Sequence, residues 1–205
     1  DDDDIYYVDA NGVMVKNTWV KVVNEDQDDD EDPAEYNYYY MQSNGKAYKA
    51  DTDNLKKKTC PDATGSRTYF FDSEGHMVSG WVDYENDTYY CGTENEGWAY
   101  TGWQYLEPDD DLNSSDYDDQ EWFNFKSSGK AQTGKATNIN GQTYLFGTDG
   151  HMLTGWVGFT GADANDGKNY KYMEIGGENS NEQLRYYTDV YFCGDKDDGH
   201  AKKNK

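Results

Sequence analysis

The stretch "TYFFDSEGHMVSGW" (residues 68–81) returns later in the chain as "TYLFGTDGHMLTGW" (143–156). Each copy opens with an aromatic-rich segment, continues into a short polar segment that ends in Gly, and closes on Gly-Trp. Because Gly accepts the positive φ that a type I turn followed by a bulge requires, the pattern predicts a β-hairpin. Strand alternation then places Tyr69 and Phe71 on one face and Phe70 on the other.

The same pattern recurs along the chain and predicts seven hairpins. We expect them near 5–23, 38–50, 68–84, 88–106, 122–139, 143–159 and 190–205. Hairpins two and five share "GKA" after the turn, three and six share "GHM" and "GWV", and four and seven share a Cys-Gly pair before a longer turn. A repeat in threes predicts an all-β solenoid of β-hairpin repeats, superhelical with about three hairpins per turn. We interpret residues 1–205 as one such domain, cut from a longer protein.

Three inserts separate the hairpins. Two are acidic, at 24–35 and 107–121, and a long one covers 158–189. Within the long insert, "NYKYMEI" (169–175) and "QLRYYTD" (183–189) are predicted to form an extra hairpin. The acidic inserts are interpreted as solvated linkers.

The composition agrees with a repeat protein. Only 35% of residues are hydrophobic, yet the chain has 20 Tyr, 7 Phe and 6 Trp. Aromatic faces therefore pack in many local contacts instead of one large aliphatic core. No stretch of 18 apolar residues occurs, so membrane insertion is not expected. The net charge of -23 excludes ordinary binding to nucleic acid or anionic lipid and favours neutral ligands, cationic ligands or divalent metals.

Cysteine and histidine do not indicate an enzyme. Cys60, Cys91 and Cys193 are predicted to be small apolar strand residues, with a Cys60–Cys91 disulfide as the alternative. The three histidines each follow the glycine of a turn, so we expect them to be exposed and too far apart for a shared metal. They are His76, His151 and His200. No residue pair is spaced as nucleophile and base.

A calcium site is the one cofactor hypothesis that the sequence raises. The segment 163–174 begins with Asp163, continues through Asn165 and ends with Glu174, as an EF-hand loop does, but its Gly is at the fifth position and no helices flank it. The Asp-rich segments 109–119 and 195–199 are looser candidates. The main expectation is that the chain holds no cofactor.

The hairpin motifs resemble a known family. "TYFFDSEGHMVSGW" and "TYLFGTDGHMLTGW" are similar to the cell-wall-binding repeats of Gram-positive surface proteins, a superfamily that includes choline-binding modules and glucan-binding repeats. The triplet with its acidic linker resembles a variety found in surface proteins of gut Firmicutes. The resemblance implies a secreted, non-catalytic β-hairpin solenoid on the bacterial surface, often attached to a separate enzyme domain.

In choline-binding modules, a cage forms from the Gly-Trp tryptophan, the aromatic residue that opens a neighbouring hairpin and an aromatic residue of the next unit. Several of these positions are substituted in the present chain: Thr68, Thr88 and Thr143 replace opening aromatics, and Asp51 and Lys135 occupy the Gly-Trp positions of the hairpins that open on Tyr38 and Trp122. We therefore expect every cage to lack at least one wall.

The predicted ligand-binding residues are the terminal tryptophans and the aromatics of the following hairpins. They are Trp81 with Tyr89, Trp103 with Trp122, Trp19 with Tyr38, and Trp156. Aromatic faces bind sugar C–H surfaces or quaternary ammonium groups. The sequence thus predicts a monomeric surface module that binds cell-wall glycan, teichoic acid or another carbohydrate by avidity. The alternatives are inter-hairpin packing for each tryptophan, and a structural stalk without a ligand for the whole chain.

Overall fold

A computed structural model describes residues 4–25, 34–109, 120–162, 170–176 and 187–202. All regular secondary structure in these ranges is β-strand, which confirms the predicted all-β class. The strands are β1 (Thr18–Val23), β2 (Tyr36–Met41), β3 (Lys56–Asp62), β4 (Gly65–Phe71), β5 (Trp81–Tyr84), β6 (Asp87–Tyr90), β7 (Gly102–Leu106), β8 (Glu121–Phe125), β9 (Gly134–Ile139), β10 (Gln142–Phe146), β11 (Trp156–Ala162), β12 (Tyr170–Glu174), β13 (Asp189–Cys193) and β14 (Ala201–Lys202).

The strands form small antiparallel sheets in two compact units. The first unit, Asp1–Tyr100, holds the pairs β1–β2, β3–β4 and β5–β6. The second unit, Thr101–Lys205, holds the pairs β7–β8 and β9–β10 and a four-stranded sheet of order β12–β11–β13–β14. The described residues include no helix long and apolar enough to cross a membrane.

The predicted glycine turns are present. Gly75 has φ +83° and its N–H donates to the carbonyl of Asp72 at 3.3 Å. Gly129 has φ +84° and donates to Lys126 at 2.8 Å. Beyond each turn, the returning chain makes a single bridge to the aromatic strand, as between Phe71 and Met77. The positive φ predicted for the glycine of each turn is therefore confirmed at these two positions.

The longer strand ladders form between consecutive repeats, and not within one hairpin motif as the sequence suggests. The Gly-Trp segment of one repeat pairs along its length with the aromatic strand of the next, as β5 does with β6 in the register Trp81↔Tyr90. A two-residue turn joins β5 and β6 at Glu85 (φ +55°) and Asn86 (φ +62°). Positive φ at both central residues suits the right-handed twist of a hairpin. Each tryptophan strand is thus bound to the repeat that follows it.

Each of the two acidic inserts lies in sequence between two strands that pair with each other. The insert at 24–35 joins β1 to β2, and the one at 107–121 joins β7 to β8. At the base of the first loop, the N–H of Asn24 donates to the carbonyl of Glu35 at 3.0 Å. The centres of both inserts lie outside the described residues.

Of the long insert, the structure describes residues 158–162, 170–176 and 187–189. Residues Tyr170–Glu174 do form a strand, β12, but its partner is β11, with Gly158 opposite Met173. The expected partner segment, 183–189, lies largely outside the described residues, and its last residue begins β13. Because β11 also pairs with β13 on its other edge, the insert extends an existing sheet.

The core is divided into local aromatic clusters, as the composition predicts. One cluster joins Phe70, Val82, Tyr89 and Cys91. Another in the same unit joins Tyr40, Cys60, Tyr69 and Phe71. Small clusters of this kind stabilise each repeat through its neighbours, which is how repeat proteins fold.

All three cysteines are buried and free. Cys60 and Cys91 belong to different clusters, so the alternative of a disulfide between them is contradicted. Burial raises the pKa of each thiol, to about 12 for Cys91. They are apolar packing residues, as first predicted.

Replacement of Gly97 by alanine is expected to lower the free energy of unfolding by about 2 kcal/mol. Gly97 has φ +65°, and a Cβ atom there would collide with the Met77 sulfur and lie 2.7 Å from its Cγ. Gly12 is the matched control, because it has φ +77° and its Cβ would meet nothing within 4 Å. Urea unfolding of Gly12→Ala should show only the φ cost of about 1 kcal/mol. Equal losses for the two variants would contradict the steric argument.

Candidate ligand-binding site

The register of the β7–β8 hairpin brings two tryptophans together. Trp103 pairs with Asn124, and Tyr105 pairs with Trp122, so Trp103 and Trp122 are diagonal neighbours on one face. Their ring centroids are 6.2 Å apart, with an angle of 88° between the rings. The sequence-predicted pair of Trp103 and Trp122 is therefore in place, as two perpendicular walls.

A third wall comes from β10. The Tyr144 ring lies 4.8 Å from Trp103 at 69°, and Phe146 supports Trp103 from 5.8 Å. Met152 is buried, and its N–H donates to the carbonyl of Trp122 at 2.7 Å. Trp103, Trp122, Tyr144 and Met152, here called the Trp103 cage, line a cavity of about 260 Å³.

Charged side chains also line the cavity of the Trp103 cage. The turn between β13 and β14 contributes Lys196, Asp197 and Asp198 to the cavity lining. Lys202 lies 3.3 Å from the Asp198 carboxylate. Desolvation is the largest single influence on the pKa of Asp198 and raises it. The hydrogen bonds and charges of His200 and Lys202 together lower it by more, so the pKa lies below its usual value. Burial, followed by the Asp198 charge, raises the pKa of Tyr144. The cavity lining therefore combines aromatic faces with two carboxylates and one ammonium group.

The expectation that every cage lacks a wall is wrong for Trp103. It rested on the Gly-Trp position of the hairpin that opens with Trp122, where Lys135 stands. In the structure, the tryptophan that faces Trp122 is the one that ends the preceding hairpin. Sequence reasoning missed Tyr144, Met152 and the turn at 195–199. The triplet repeat carried the signal for Tyr144, because Tyr69 holds the equivalent position two hairpins after Trp19.

The first unit contains an equivalent arrangement around Trp19. Tyr69 lies 4.7 Å and Phe71 5.8 Å from the Trp19 ring, as Tyr144 and Phe146 lie from Trp103. The predicted partner Tyr38 is again the diagonal neighbour, since Trp19 pairs with Tyr40 and Lys21 with Tyr38. We call this group the Trp19 cluster.

The rings of the Trp19 cluster are engaged by other residues of the chain. The Tyr38 hydroxyl donates to the Asn95 side-chain oxygen at 2.7 Å, and the Trp19 indole N–H donates to the carbonyl of Pro61 at 2.9 Å. Lys21 occupies the position that Tyr105 has in the second unit, and its ammonium lies 5.3 Å from the Tyr38 ring centroid. Intramolecular contacts thus take the place that a ligand would need at Tyr38.

The predicted pair of Trp81 and Tyr89 is not formed. Trp81 lies beside Tyr90, with 5.1 Å between ring centroids, because these two residues are directly opposite in the ladder. Tyr89 pairs with Val82 on the other face and is fully buried. It is a core residue and does not reach a ligand. The diagonal neighbour of Trp81 in this ladder is Thr88, which is not aromatic.

Trp156 lies in a similar setting at the end of the second unit. It is 52% exposed and packs against Phe192 with 5.0 Å between ring centroids. The two residues are directly opposite in the β11–β13 ladder. This pair is an open aromatic surface, whereas the Trp103 cage is concave.

The turn histidines are more buried than expected, and each has a carboxylate partner. His76 Nε2 lies 2.8 Å from the Tyr39 hydroxyl and Nδ1 lies 3.2 Å from Asp72. His151 Nδ1 lies 2.5 Å from Asp149. His200 contacts Asp198 in the same way. The prediction of exposed histidines is therefore wrong, because the acidic turn residue two or four positions earlier draws each ring back onto the turn.

The calcium candidates are only partly visible. Asp163 and Asn165 lie outside the described residues, and so does most of 109–119. Glu174 is described, and its Oε1 accepts hydrogen bonds from the N–H and hydroxyl of Thr154 at 2.5 and 2.9 Å. Within the described ranges, no group of three or more His, Cys, Asp or Glu side chains is arranged to hold a metal ion.

No protein-family model matches the chain, and no curated protein sequence matches it. Several solved structures are similar. One is choline binding protein F from Streptococcus pneumoniae in the presence of a peptidoglycan analogue, at 18% identity and a TM-score of 0.46, over 97% of this chain and 70% of that one. Choline-binding proteins, which the hairpin motifs resemble, are thus among the structures similar to this chain.

Two further similar structures are an endolysin and an alternansucrase. The Cpl-1 endolysin complexed with a peptidoglycan analogue shares 21% identity at a TM-score of 0.40, over 78% of this chain and 40% of the endolysin. Alternansucrase in complex with isomaltononaose shares 17% identity at a TM-score of 0.30, over 97% of this chain and 16% of that enzyme.

Proposed function

We propose that the chain is a non-catalytic cell-wall-binding module of the bacterial surface, and that the Trp103 cage binds a quaternary ammonium group such as the choline of a wall polymer. The observation that carries the proposal is the convergence of Trp103, Trp122 and Tyr144 on one cavity with Asp197 and Asp198 beside it. Aromatic cages of this kind attract cations through the ring quadrupoles.

Cavity size and charge support a small cationic ligand. The cavity of about 260 Å³ is below the 300–1,000 Å³ range of sites for drug-sized ligands, so it suits a head group. Met152 provides an apolar surface for N-methyl groups. The carboxylates of Asp197 and Asp198 at the same cavity complement the positive charge of the ligand. The net charge of -23 also favours a cation.

The chain itself provides examples of the proposed chemistry. In the first unit, the ammonium of Lys21 lies 3.5 Å from the Tyr36 ring centroid, and that of Lys58 lies 4.5 Å from the Tyr48 ring centroid. Tyrosine faces of this protein thus accept ammonium groups where the sequence supplies them. In the Trp103 cage, we expect an external ammonium group to take the equivalent place.

Retention of the purified chain on isolated Gram-positive cell walls tests the function. We expect retention on walls that carry choline, release by free choline, and no retention on walls stripped of choline-bearing teichoic acid. Each arm is run with Ca²⁺ and with a chelator, because divalent ions could bridge the acidic chain to wall phosphates. Release by soluble glucan and not by choline would contradict the ammonium ligand and favour a neutral glycan.

Choline is expected to bind the chain about tenfold more tightly than 3,3-dimethylbutan-1-ol, which has the same shape without the charge. The reason is that the cation gains both the ring quadrupoles and the carboxylates of Asp197 and Asp198. Isothermal titration calorimetry at constant ionic strength measures the ratio. Equal affinities would show that the cage recognises shape alone and would contradict a cation site.

A structural stalk is the second candidate. The engaged rings of the Trp19 cluster and the buried Tyr89 favour it, because these aromatics serve packing. The wall experiment separates the two candidates. A folded chain that neither walls nor choline bind would be a stalk.

A further inference from the structure

A second, polar cleft adjoins the Trp103 cage. It has a volume of about 190 Å³ and shares Met152 and Lys196 with the cage. Its other lining residues are Tyr105, Gln120, Glu121, His151, Thr154 and Glu174. Because the cage and the cleft share Met152 and Lys196, a group attached to a head group in the cage would lie next to the cleft.

The polar side chains of the cleft include two carboxylates and several hydrogen-bond donors, among them Lys196 and Gln120. Glu121 and Glu174 bring carboxylates from β8 and β12. The Glu174 carboxylate is held in place by two hydrogen bonds from Thr154 to Oε1, and a carboxylate has about four lone-pair sites, so acceptor capacity remains. Carboxylates accept hydrogen bonds from hydroxyl groups, while Lys196 and Gln120 can donate to hydroxyl oxygens. The cleft therefore suits a neutral, hydroxyl-rich group.

An aromatic face completes the cleft. Tyr105 is 39% exposed and packs against the Trp122 ring with 5.0 Å between centroids. The two rings are thus held together, one in the cage and one in the cleft. An exposed aromatic face provides an apolar contact for the C–H side of a pyranose, while the carboxylates bind its hydroxyl groups.

We propose that this cleft is a sugar subsite, and that the chain recognises an ammonium-bearing substituent together with the neutral pyranose to which it is attached. This inference rests on the proposed function, because the cage must hold the ammonium group for the sugar to reach the cleft. It adds a second determinant, so that choline on a glycan is bound more tightly than choline alone.

The test compares choline with the α and β anomers of 2-(trimethylammonio)ethyl glucopyranoside, by calorimetry on the full 205-residue chain. We expect at least one anomer to bind about tenfold more tightly than choline, which corresponds to about 1.4 kcal/mol. In Glu174→Gln, most of this gain should be lost while choline affinity stays unchanged, because the amide still accepts from Thr154. Glu94→Gln, an exposed glutamate of the first unit, is the matched control and should keep the full gain.

The outcomes separate the two proposals. If choline binds and neither glucoside gains affinity, the sugar subsite is overturned and the cage stands. A gain that persists in both Glu174→Gln and Tyr105→Ala would place the sugar elsewhere and overturn the subsite as well. If neither choline nor the glucosides bind, the function proposed for the cage fails, and the subsite fails with it.

Discussion

Replacement of Trp122 by alanine is expected to weaken choline binding about 100-fold, or about 2.7 kcal/mol. The substitution removes one of two perpendicular tryptophan walls, 6.2 Å from Trp103, and opens the cage toward Tyr105. A cation–π contact contributes about 0.5–2 kcal/mol, and the remaining loss comes from solvent that enters a cavity previously closed on that side. Isothermal titration calorimetry measures the change in affinity.

Two further variants make this result specific. Trp122→Tyr keeps an aromatic face and should lose no more than about tenfold. Trp156→Ala removes an exposed tryptophan that lies outside the cage and should leave choline affinity unchanged. Circular dichroism and urea unfolding confirm that each variant is folded. An equal loss in Trp156→Ala, or full affinity in Trp122→Ala, would contradict the assignment of the Trp103 cage.

Local sequence signals predicted the parts of the fold and site that depend on neighbouring residues. Glycines at fixed positions indicated the turns because positive φ is costly for other residues, and Gly75 and Gly129 have it. Period-two alternation placed the aromatic strands. The pair Trp103 and Trp122 was also predicted, since one tryptophan ends a hairpin and the other opens the next.

Strand register was harder to predict, and it determines which tyrosine lies beside Trp81. A shift of one residue moves a side chain to the opposite face of a strand. The two-residue turn at Glu85 and Asn86 sets Trp81 opposite Tyr90, which leaves Tyr89 on the buried face. This turn contains no glycine, so the sequence offered no clear position for it.

The third wall depends on a contact between hairpins that are not adjacent in the pattern. Tyr144 approaches Trp103 across the intervening hairpin at 122–139, and an acidic insert of a different length from its counterpart separates them in sequence. A fixed residue spacing therefore does not align them, whereas the order of the hairpins within each triplet does. The equivalent contact of Tyr69 with Trp19 shows that the arrangement belongs to the repeat and does not arise from one local substitution.

Replacement of Phe71 by alanine is expected to lower the free energy of unfolding of the first unit by about 4 kcal/mol. Phe71 is fully buried, and its ring lies 5.8 Å from Trp19 and 5.4 Å from Tyr48. In a chain with so few aliphatic residues, a single phenylalanine supplies much of a local cluster, and the cavity left behind cannot be filled by neighbouring backbone.

Phe192→Ala is the matched control for Phe71→Ala, because Phe192 is 40% exposed and packs mainly against the exposed Trp156. It should cost about 1 kcal/mol or less. Urea unfolding followed by tryptophan fluorescence and far-ultraviolet circular dichroism measures both variants. Similar losses would show that the buried clusters do not dominate stability. A much larger loss of unfolding free energy is expected for Phe71→Ala, because the aromatic clusters replace an aliphatic core in this repeat. Phe71 packs against Trp19 in the first unit as Phe146 packs against Trp103 in the second, where the contact holds Trp103 in position for a ligand.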